Sequence, residues 1–517
     1  MIVRESMKTP VTRPSGGDGT VTPHMPDLDR IAKGTALFAS GTVFGLGLNY
    51  LYGILLARLL GADEFGLFSL GLALFNILTV LAIAGVDNAA LKFVADQKAQ
   101  GSHDRISGVV RAALLLSLGF GLGAACCLAL SIPALTRTIF VKDGLEPVLW
   151  WFAAGIPIFT VSAVAIAVLQ ALQDVAWRTA IKYVAEPILK AGVTLLLVWF
   201  GWGVGGAVAA SVAALGGSVL LSLIPLRRLI RRTPPAGHAR QQAGAILSFS
   251  SPLIVALLAA SVANRADLLL LGYWWSASDV GVYAAALQTA TGLTMILGCV
   301  ESIATPYLSE RVAAADWCQA DLLYGTVVRW SAVFALPVCV MMLLFPDRIL
   351  SMFGERFEAG TGCLAILAVG HLVNAVTACA NNLLLWAGQA RRVMWNFLLV
   401  ALVQVLACLA LVPRFGAMGA AWGAVIGLLL MNGLRTWQAA RLVGIRPFPP
   451  ALAKPAGAAF AAGALVLALR WSVPHVGAIA QVALCLGSYV AGLLVLGLEQ
   501  EDVNVCRRLP LIGGVVR

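Results

Sequence analysis

Residues 34–88 read GTALFASGTVFGLGLNYLYGILLARLLGADEFGLFSLGLALFNILTVLAIAGVDN, and this stretch decides the fold. Two apolar runs, 34–57 and 66–88, flank a short junction carrying Arg58, Asp63 and Glu64. A helix needs about 20 predominantly apolar residues to cross a hydrocarbon layer, and each run supplies them. The pair therefore reads as two successive transmembrane helices.

Working outward, the same pattern recurs as far as Leu498, with further runs near 108–132, 148–172, 180–200, 204–225, 250–274, 281–305, 326–345, 360–387, 394–412, 417–437, 452–469 and 477–498. Hydrophobic residues make up 60% of the 517 and charged residues only 12%, against the roughly 45–50% apolar content of soluble domains. No soluble core hides that much apolar surface. The expectation is an all-α integral membrane protein of about fourteen transmembrane helices.

Charge gives the orientation. Twenty-seven of the 36 Lys and Arg residues fall on the side that would hold both termini. The opposite side holds Arg58, Arg137, Lys142, Arg348, Arg356, Arg414 and Arg470. Positive residues are retained in the cytoplasm, so both termini are expected inside. The net charge of +11 is thus a topology signal rather than a nucleic-acid footprint, because the basic residues sit in short loops beside apolar spans.

Residues 1–30 are rich in Pro, Gly and Thr and lack the apolar core of a secretory signal, so they read as a disordered cytoplasmic arm. The cysteines show neither C-x-x-C nor a cluster with His, so no disulfide framework, metal site or cofactor is expected. A long basic loop, 227–247, separates an N-lobe of six helices (31–226) from a C-lobe (248–440). Two further helices (450–498) and a tail (499–517) complete the chain.

An internal repeat supports this division. Phe65-Gly66-Leu67-Phe68 matches Val280-Gly281-Val282-Tyr283 at an offset of 215, and Leu169–Gln173 matches Leu385–Gln389 at 216. Gly203-x-x-Gly206-Ala207 matches Gly416-x-x-Gly419-Ala420 at 213. Copies of six helices keep the same orientation, so the lobes should be related by a pseudo-two-fold axis along the membrane normal. That arrangement suits two bundles rocking about a central site, the architecture of a transporter.

Charges at bilayer depth are costly and usually face a cavity or a partner. Four are clear at that depth: Glu186 and Lys190 in the fifth run, Arg265 and Asp267 in the seventh. Lys190 and Arg265 have the chemistry to bind phosphate, with Glu186 and Asp267 beside them. An ordinary i,i+4 ion pair between Glu186 and Lys190 is the plainer alternative. Arg58 stands at the outer end of the first span, either towards the cavity or as an interfacial anchor. Asp87 and Glu301 end the second and eighth spans and are candidates for ion coupling, or simply solvated helix ends. Asn264, Asn374, Asn381, Asn382, Gln170 and Gln404 can bond sugar hydroxyls or neighbouring helices. His371 is the one histidine within the apolar runs. No nucleotide loop, catalytic carboxylate pair or metal-ligand set is present, so an enzyme is not expected.

One set of motifs carries a family resemblance. It comprises Ala57-Arg58-Leu59-Leu60-Gly61-x-x-x-Phe65-Gly66-Leu67-Phe68, Gly85, Phe93-Val94-Ala95 and Ser251-Pro252-Leu253. It continues with Asn264-Arg265-x-Asp267-x-x-Leu270-Leu271-Gly272, Val280-Gly281-x-Tyr283-x-Ala285-Ala286, Phe353-Gly354 and Phe415-Gly416-Ala417-x-Gly419-Ala420-Ala421. In order and spacing this set resembles the polysaccharide-transporter (oligosaccharide or O-antigen flippase) branch of the multidrug/oligosaccharidyl-lipid/polysaccharide superfamily, over about residues 30–440.

The resemblance implies two six-helix lobes in a V around a cationic cavity. It also implies translocation of a polyprenyl-diphosphate-linked oligosaccharide to the outer leaflet of a bacterial inner membrane, for lipopolysaccharide or exopolysaccharide synthesis. The implied partners are the lipid-linked oligosaccharide, membrane lipids, and a polysaccharide polymerase and export machinery. Arg265 and Asp267 fall on its seventh-helix pattern and Arg58 on its first. Related readings are a peptidoglycan lipid-precursor flippase and a multidrug antiporter, though a basic cavity disfavours the cations that such antiporters usually bind. A membrane glycan polymerase or ligase would be expected to show a long external loop bearing reactive residues.

Overall fold

The computed structural model describes residues 28–100, 103–172, 175–231, 257–472 and 477–496, with a few residues of 244–254. The expected arm, most of the basic loop and the tail lie outside the described residues. Among the described residues the regular structure is entirely helical, and ten helices are long and apolar enough to cross a membrane.

The first half holds α1 (Leu28–Ile83), α2 (Val86–Ala99), α3 (His103–Ala134), α4 (Leu145–Ala171), α5 (Glu186–Trp199) and α6 (Gly203–Arg231). The second holds α7 (Ala266–Trp274), α8 (Ala277–Ala313), α9 (Trp317–Leu344), α10 (Thr361–Thr377), α11 (Ala380–Trp386) and α12 (Ala390–Leu442). The pair α13 (Ala453–Ser472) and α14 (Ala478–Leu496) follows.

Two helices each cover two expected spans, and glycine is the reason. Gly61 in α1 (φ 73°, ψ 178°) and Gly416 in α12 (φ 58°, ψ −132°) take non-helical conformations that a residue with Cβ adopts at a cost. The second expected span stops at Ile83 rather than at residue 88, because Ala84 and Gly85 turn left-handed and start α2. Asp87 therefore stands in the first turn of α2. The expected span 180–200 begins with a π-helical segment, Ala180–Ala185, and residues 250–253, 255 and 256 of the expected span 250–274 lie outside the described residues.

Within the first half α4 packs on α1, α3 and α6, and α5 on α6; within the second, α10 packs on α8, α9 and α12, and α12 on α7. The α13–α14 pair docks on α9. There Arg470 lies over the Phe345 ring at 4.5 Å and donates to the Leu344 carbonyl and to Gln481 Oε1, both at 2.8 Å. Large apolar side chains such as Leu130, Trp199, Phe460 and Trp471 point outward. In lipid the driving force between helices is close packing and hydrogen bonding rather than loss of water.

The two halves meet mainly through α1 and α8. A Cβ on Gly66 would overlap the Ala277 carbonyl oxygen and stand 2.9 Å from Gly281 N. A Cβ on Gly281 would overlap the Ala62 carbonyl oxygen and stand 3.1 Å from Gly66 N. The contact is reciprocal, and Ala62 with Ala277 repeats the offset of 215 found for the glycines.

Around this crossing lie Arg58 Nε donating to the Met352 carbonyl at 2.6 Å and Lys142 donating to the Trp275 carbonyl. Arg356 faces Asp63 at 3.4 Å, and the Phe65 and Phe357 rings meet edge to face at 5.9 Å. One end of the molecule is sealed by these contacts between halves.

Candidate functional site

Behind the seal lies a cavity of about 550 Å³ between the halves. The first half contributes Tyr52, Ser69 and Lys190 among others; the second contributes Asn264, Arg265, Asp267, Gln288, Thr291, Thr294, His371, Asn374 and Gln404. A second cavity of about 270 Å³ shares Asn264 and Arg265 and leads between Asn76, Thr79, Ile83 and Ser261, away from the sealed end.

Each charged lining residue is held differently. Lys190 projects from α5 over the Tyr52 ring, with Nζ 4.4 Å from its centroid and 5.8 Å from that of Phe68. Tyr52 is fixed in turn by a 3.0 Å hydrogen bond between its hydroxyl and that of Thr194, one turn beyond Lys190. The ammonium thus rests on aromatic faces, which attract a cation without neutralising it. Arg265 caps α7 with non-helical backbone (φ −133°). Its guanidinium makes no hydrogen bond or salt bridge with a described residue.

Asp267 is 2% exposed and accepts from the Tyr283 hydroxyl and, at 2.8 Å, from the Leu268 N–H. Gln404 donates to the Ala263 carbonyl, tying α12 to the chain just before α7. The two cations, one from each half, therefore face a shared space.

The uncharged wall is a connected network. Thr294 Oγ1 meets His371 Nδ1 at 3.0 Å and accepts from Asn374 Nδ2 at 3.3 Å. Asn432 Nδ2 donates to Asn374 Oδ1 at 3.2 Å, and Thr377 donates to Asn432 Oδ1 at 2.9 Å.

Lys190, Asn264, Arg265 and Asp267, singled out in the sequence, are brought together with Asn374, Gln404 and His371. Glu186, Arg58 and Asn381 are not among the lining residues. Glu186 pairs with Lys182 at 3.0 Å rather than with Lys190, because the π-helical segment precedes Glu186 and Lys190 turns to the rings. Arg58 belongs to the seal, and Asn381 lies in α11 beyond the end of α10 at Thr377.

Asp87 and Glu301 also stand outside the cavity. Burial pushes the Asp87 carboxyl above its ordinary value despite bonds to the Asn88 amide groups. Glu301 lies well before the end of α8 and accepts from Asn382 Nδ2 at 3.3 Å.

Tyr52, Gln288, Thr291 and Tyr283 were not evident as site residues from the sequence. A signal existed for part of this set: the offset of 215 pairs Asn49 with Asn264, Tyr52 with Asp267 and Phe68 with Tyr283, and an offset of 214 pairs Lys190 with Gln404. Apart from Tyr283, which is buried behind Asp267, these positions line the cavity from both halves, with different chemistry.

Known proteins share this architecture. The chain is 22% identical over 418 residues to a probable low-salt glycan biosynthesis flippase, Agl15, of Haloferax volcanii, covering 80% of this chain and 85% of the relative. The fold matches the lipid II flippase MurJ in an inward closed conformation with a TM-score of 0.71 at 12% identity, over 89% of this chain and 98% of that one. An inward-facing multidrug resistance MATE family transporter of the MOP superfamily matches at 0.67 and 18% identity, over 79% and 98%. A family model described as polysaccharide biosynthesis protein matches residues 55–360, more than half of the chain. Its spacing of motifs, its helical fold and this match together show that the chain belongs to the polysaccharide biosynthesis protein family of multi-pass membrane proteins.

Proposed function

We propose that the protein carries a polyprenyl-diphosphate-linked oligosaccharide from the cytoplasmic to the outer leaflet of a bacterial inner membrane by alternating access, for synthesis of a surface polysaccharide. The observation that carries this reading is the cavity between the halves, with Lys190 and Arg265 presented from opposite sides. A diphosphate needs cationic donors, and a guanidinium fork with no hydrogen bond or salt bridge to a described residue is suited to bind one. Each unpaired polar group in hydrocarbon costs several kcal/mol, so a glycan head crosses only in such a polar enclosure. Asn264 is placed to reach the same ligand, and Asp267, held by Tyr283, fixes the start of α7 beside Arg265.

Lys92 and Lys98 of α2, Arg311 in the last turn of α8, and Arg391 and Arg392 at the start of α12 stand away from the sealed end, which supports a seal that faces outward, cytoplasmic termini and a cavity that takes its cargo from the cytoplasmic side. Arg58 and Asp63 belong to the outer closure. Glu186, paired with Lys182, also acts on Lys190 directly through its charge. Asp87 and Glu301, acids related by an offset of 214 near the cytoplasmic end of each half, are the groups available for ion coupling.

The test is the sidedness of lipid-linked oligosaccharide in native membranes with the protein, without it, and with Arg265→Ala at equal abundance. Accumulation on the cytoplasmic face and loss of surface glycan in the last two supports the reading. Repeat units that reach the outer face and remain unpolymerised would refute it.

A further inference from the structure

The cavity is chemically divided. Its cations stand on α5 and at the start of α7, whereas α8 presents Gln288, Thr291 and Thr294 at three-residue spacing and α10 presents His371 and Asn374 at the same spacing. Three-residue spacing keeps side chains on one face of a helix, so the two neighbouring helices present one continuous polar wall.

This wall carries no charge and is rich in groups that both donate and accept. Its orientation is set from behind by the bonds of Thr294 to His371 and Asn374, and of Asn374 to Asn432. Its front retains capacity. Gln288 has no hydrogen-bond partner among the described residues, and its amide lies against the bare Cα of Gly53 on α1. Thr291 spends its proton on the Leu287 carbonyl and keeps its oxygen as an acceptor.

The α10 part of the wall is one-sided. The repeat offset of 216 places His371 and Asn374 opposite Gly155 and Ile158 of α4, where the segment Gly155–Phe159 has no polar side chain. On α1 the offset of 215 places Asn76 and Thr79 opposite Thr291 and Thr294, where they line the second cavity, whereas Gln288 stands opposite Ala73; what the second half alone adds is Gln288, His371 and Asn374.

We propose that this wall, with Gln288, Thr291, His371 and Asn374, is the subsite for the sugar adjoining the diphosphate, and that it sets glycan preference while Lys190 and Arg265 hold the phosphates. The proposal rests on the carrier reading above. Neutral sugar hydroxyls are matched by neutral groups of both polarities, and a site built to bond hydroxyls discriminates against ligands that lack them.

The test uses the full-length protein in lipid nanodiscs and two probes of equal charge: a short-chain prenyl diphosphate capped with a methyl group, and the same diphosphate capped with one neutral hexose. The wild type is expected to bind the hexose probe more tightly. Gln288→Ala and Thr291→Val are expected to weaken hexose-probe binding about tenfold, the size of one or two lost hydrogen bonds, and to leave the methyl-capped probe unchanged. Arg265→Ala is expected to weaken both.

Equal weakening of the two probes by Gln288→Ala, or no change in either, overturns the sugar wall and leaves the carrier reading standing. Failure of both probes to bind the wild type overturns the carrier reading itself. Gln288→Ala breaks no hydrogen bond with a described residue and Thr291→Val keeps side-chain shape, so an unchanged melting temperature is expected to accompany both.

Discussion

Replacing Gly66 with alanine tests the seal between the halves at its tightest point. The added methyl group would overlap the Ala277 carbonyl oxygen, which is main chain and cannot rotate away, and would crowd Gly281 N at 2.9 Å. Restoring carbon–oxygen contact near 3.4 Å requires α1 and α8 to part by roughly 1.5–2 Å. Overpacking of this kind costs about 1–3 kcal/mol, and because the contact exists only while this end is closed, the cost falls on the closed state. The open-to-closed ratio should rise roughly five- to 150-fold.

The assay is labelling of a single Thr291→Cys reporter on the cavity wall by a membrane-impermeant maleimide added from the sealed face, in a background with the native cysteines replaced. Faster labelling is expected with Gly66→Ala. Gly281→Ala should act alike, and the pair together should fall short of additive, since both changes relieve one crossing. Labelling no faster than in the parent, at equal abundance and melting temperature, would refute the reasoning.

Other outcomes follow from contacts of different kinds. The Asp63–Arg356 pair is mostly exposed, so Asp63→Ala should change the same labelling rate by less than fivefold, in line with the ~0–1 kcal/mol of surface pairs. For Asp87 the folded state favours the protonated form, so its charge is destabilising at neutral pH, and the protein gains stability as pH falls through the raised value. Asp87→Asn should therefore raise the melting temperature at pH 7, with the gain shrinking as the pH approaches the ordinary carboxyl range. Arg470→Ala removes two hydrogen bonds and a ring contact that dock the α13–α14 pair, a loss of about 1–3 kcal/mol. Earlier trypsin cleavage after Arg441, at the end of α12, would register it.

The membrane fold was legible because apolar runs of spanning length need no tertiary context to be seen, and Lys190 and Arg265 were legible because a charge inside such a run is conspicuous. Side-chain direction was less so. The i,i+4 spacing of Glu186 and Lys190 suggested a pair, but the structure pairs Glu186 with Lys182 across the start of a regular helix and turns Lys190 to Tyr52. Gln288 and Thr291 stayed hidden because uncharged polar residues serve helix packing as often as ligands. The break at Gly416 lies between the eleventh and twelfth expected spans and was anticipated. That at Ala84 and Gly85 was not, since alanine rarely turns left-handed.

The reciprocal crossing has a consequence for how the molecule came to be asymmetric. Gly66 against Ala277 and Gly281 against Ala62 is the pattern of an isologous interface, in which residue i of one copy touches j of the other and j touches i. Two identical half-chains would dock through this same pair of glycines. In such a dimer every change to the cavity would appear twice. Joined in one chain, the halves are free of that constraint, and Gln288, His371 and Asn374 can be placed on one side while an aromatic-backed lysine is kept on the other.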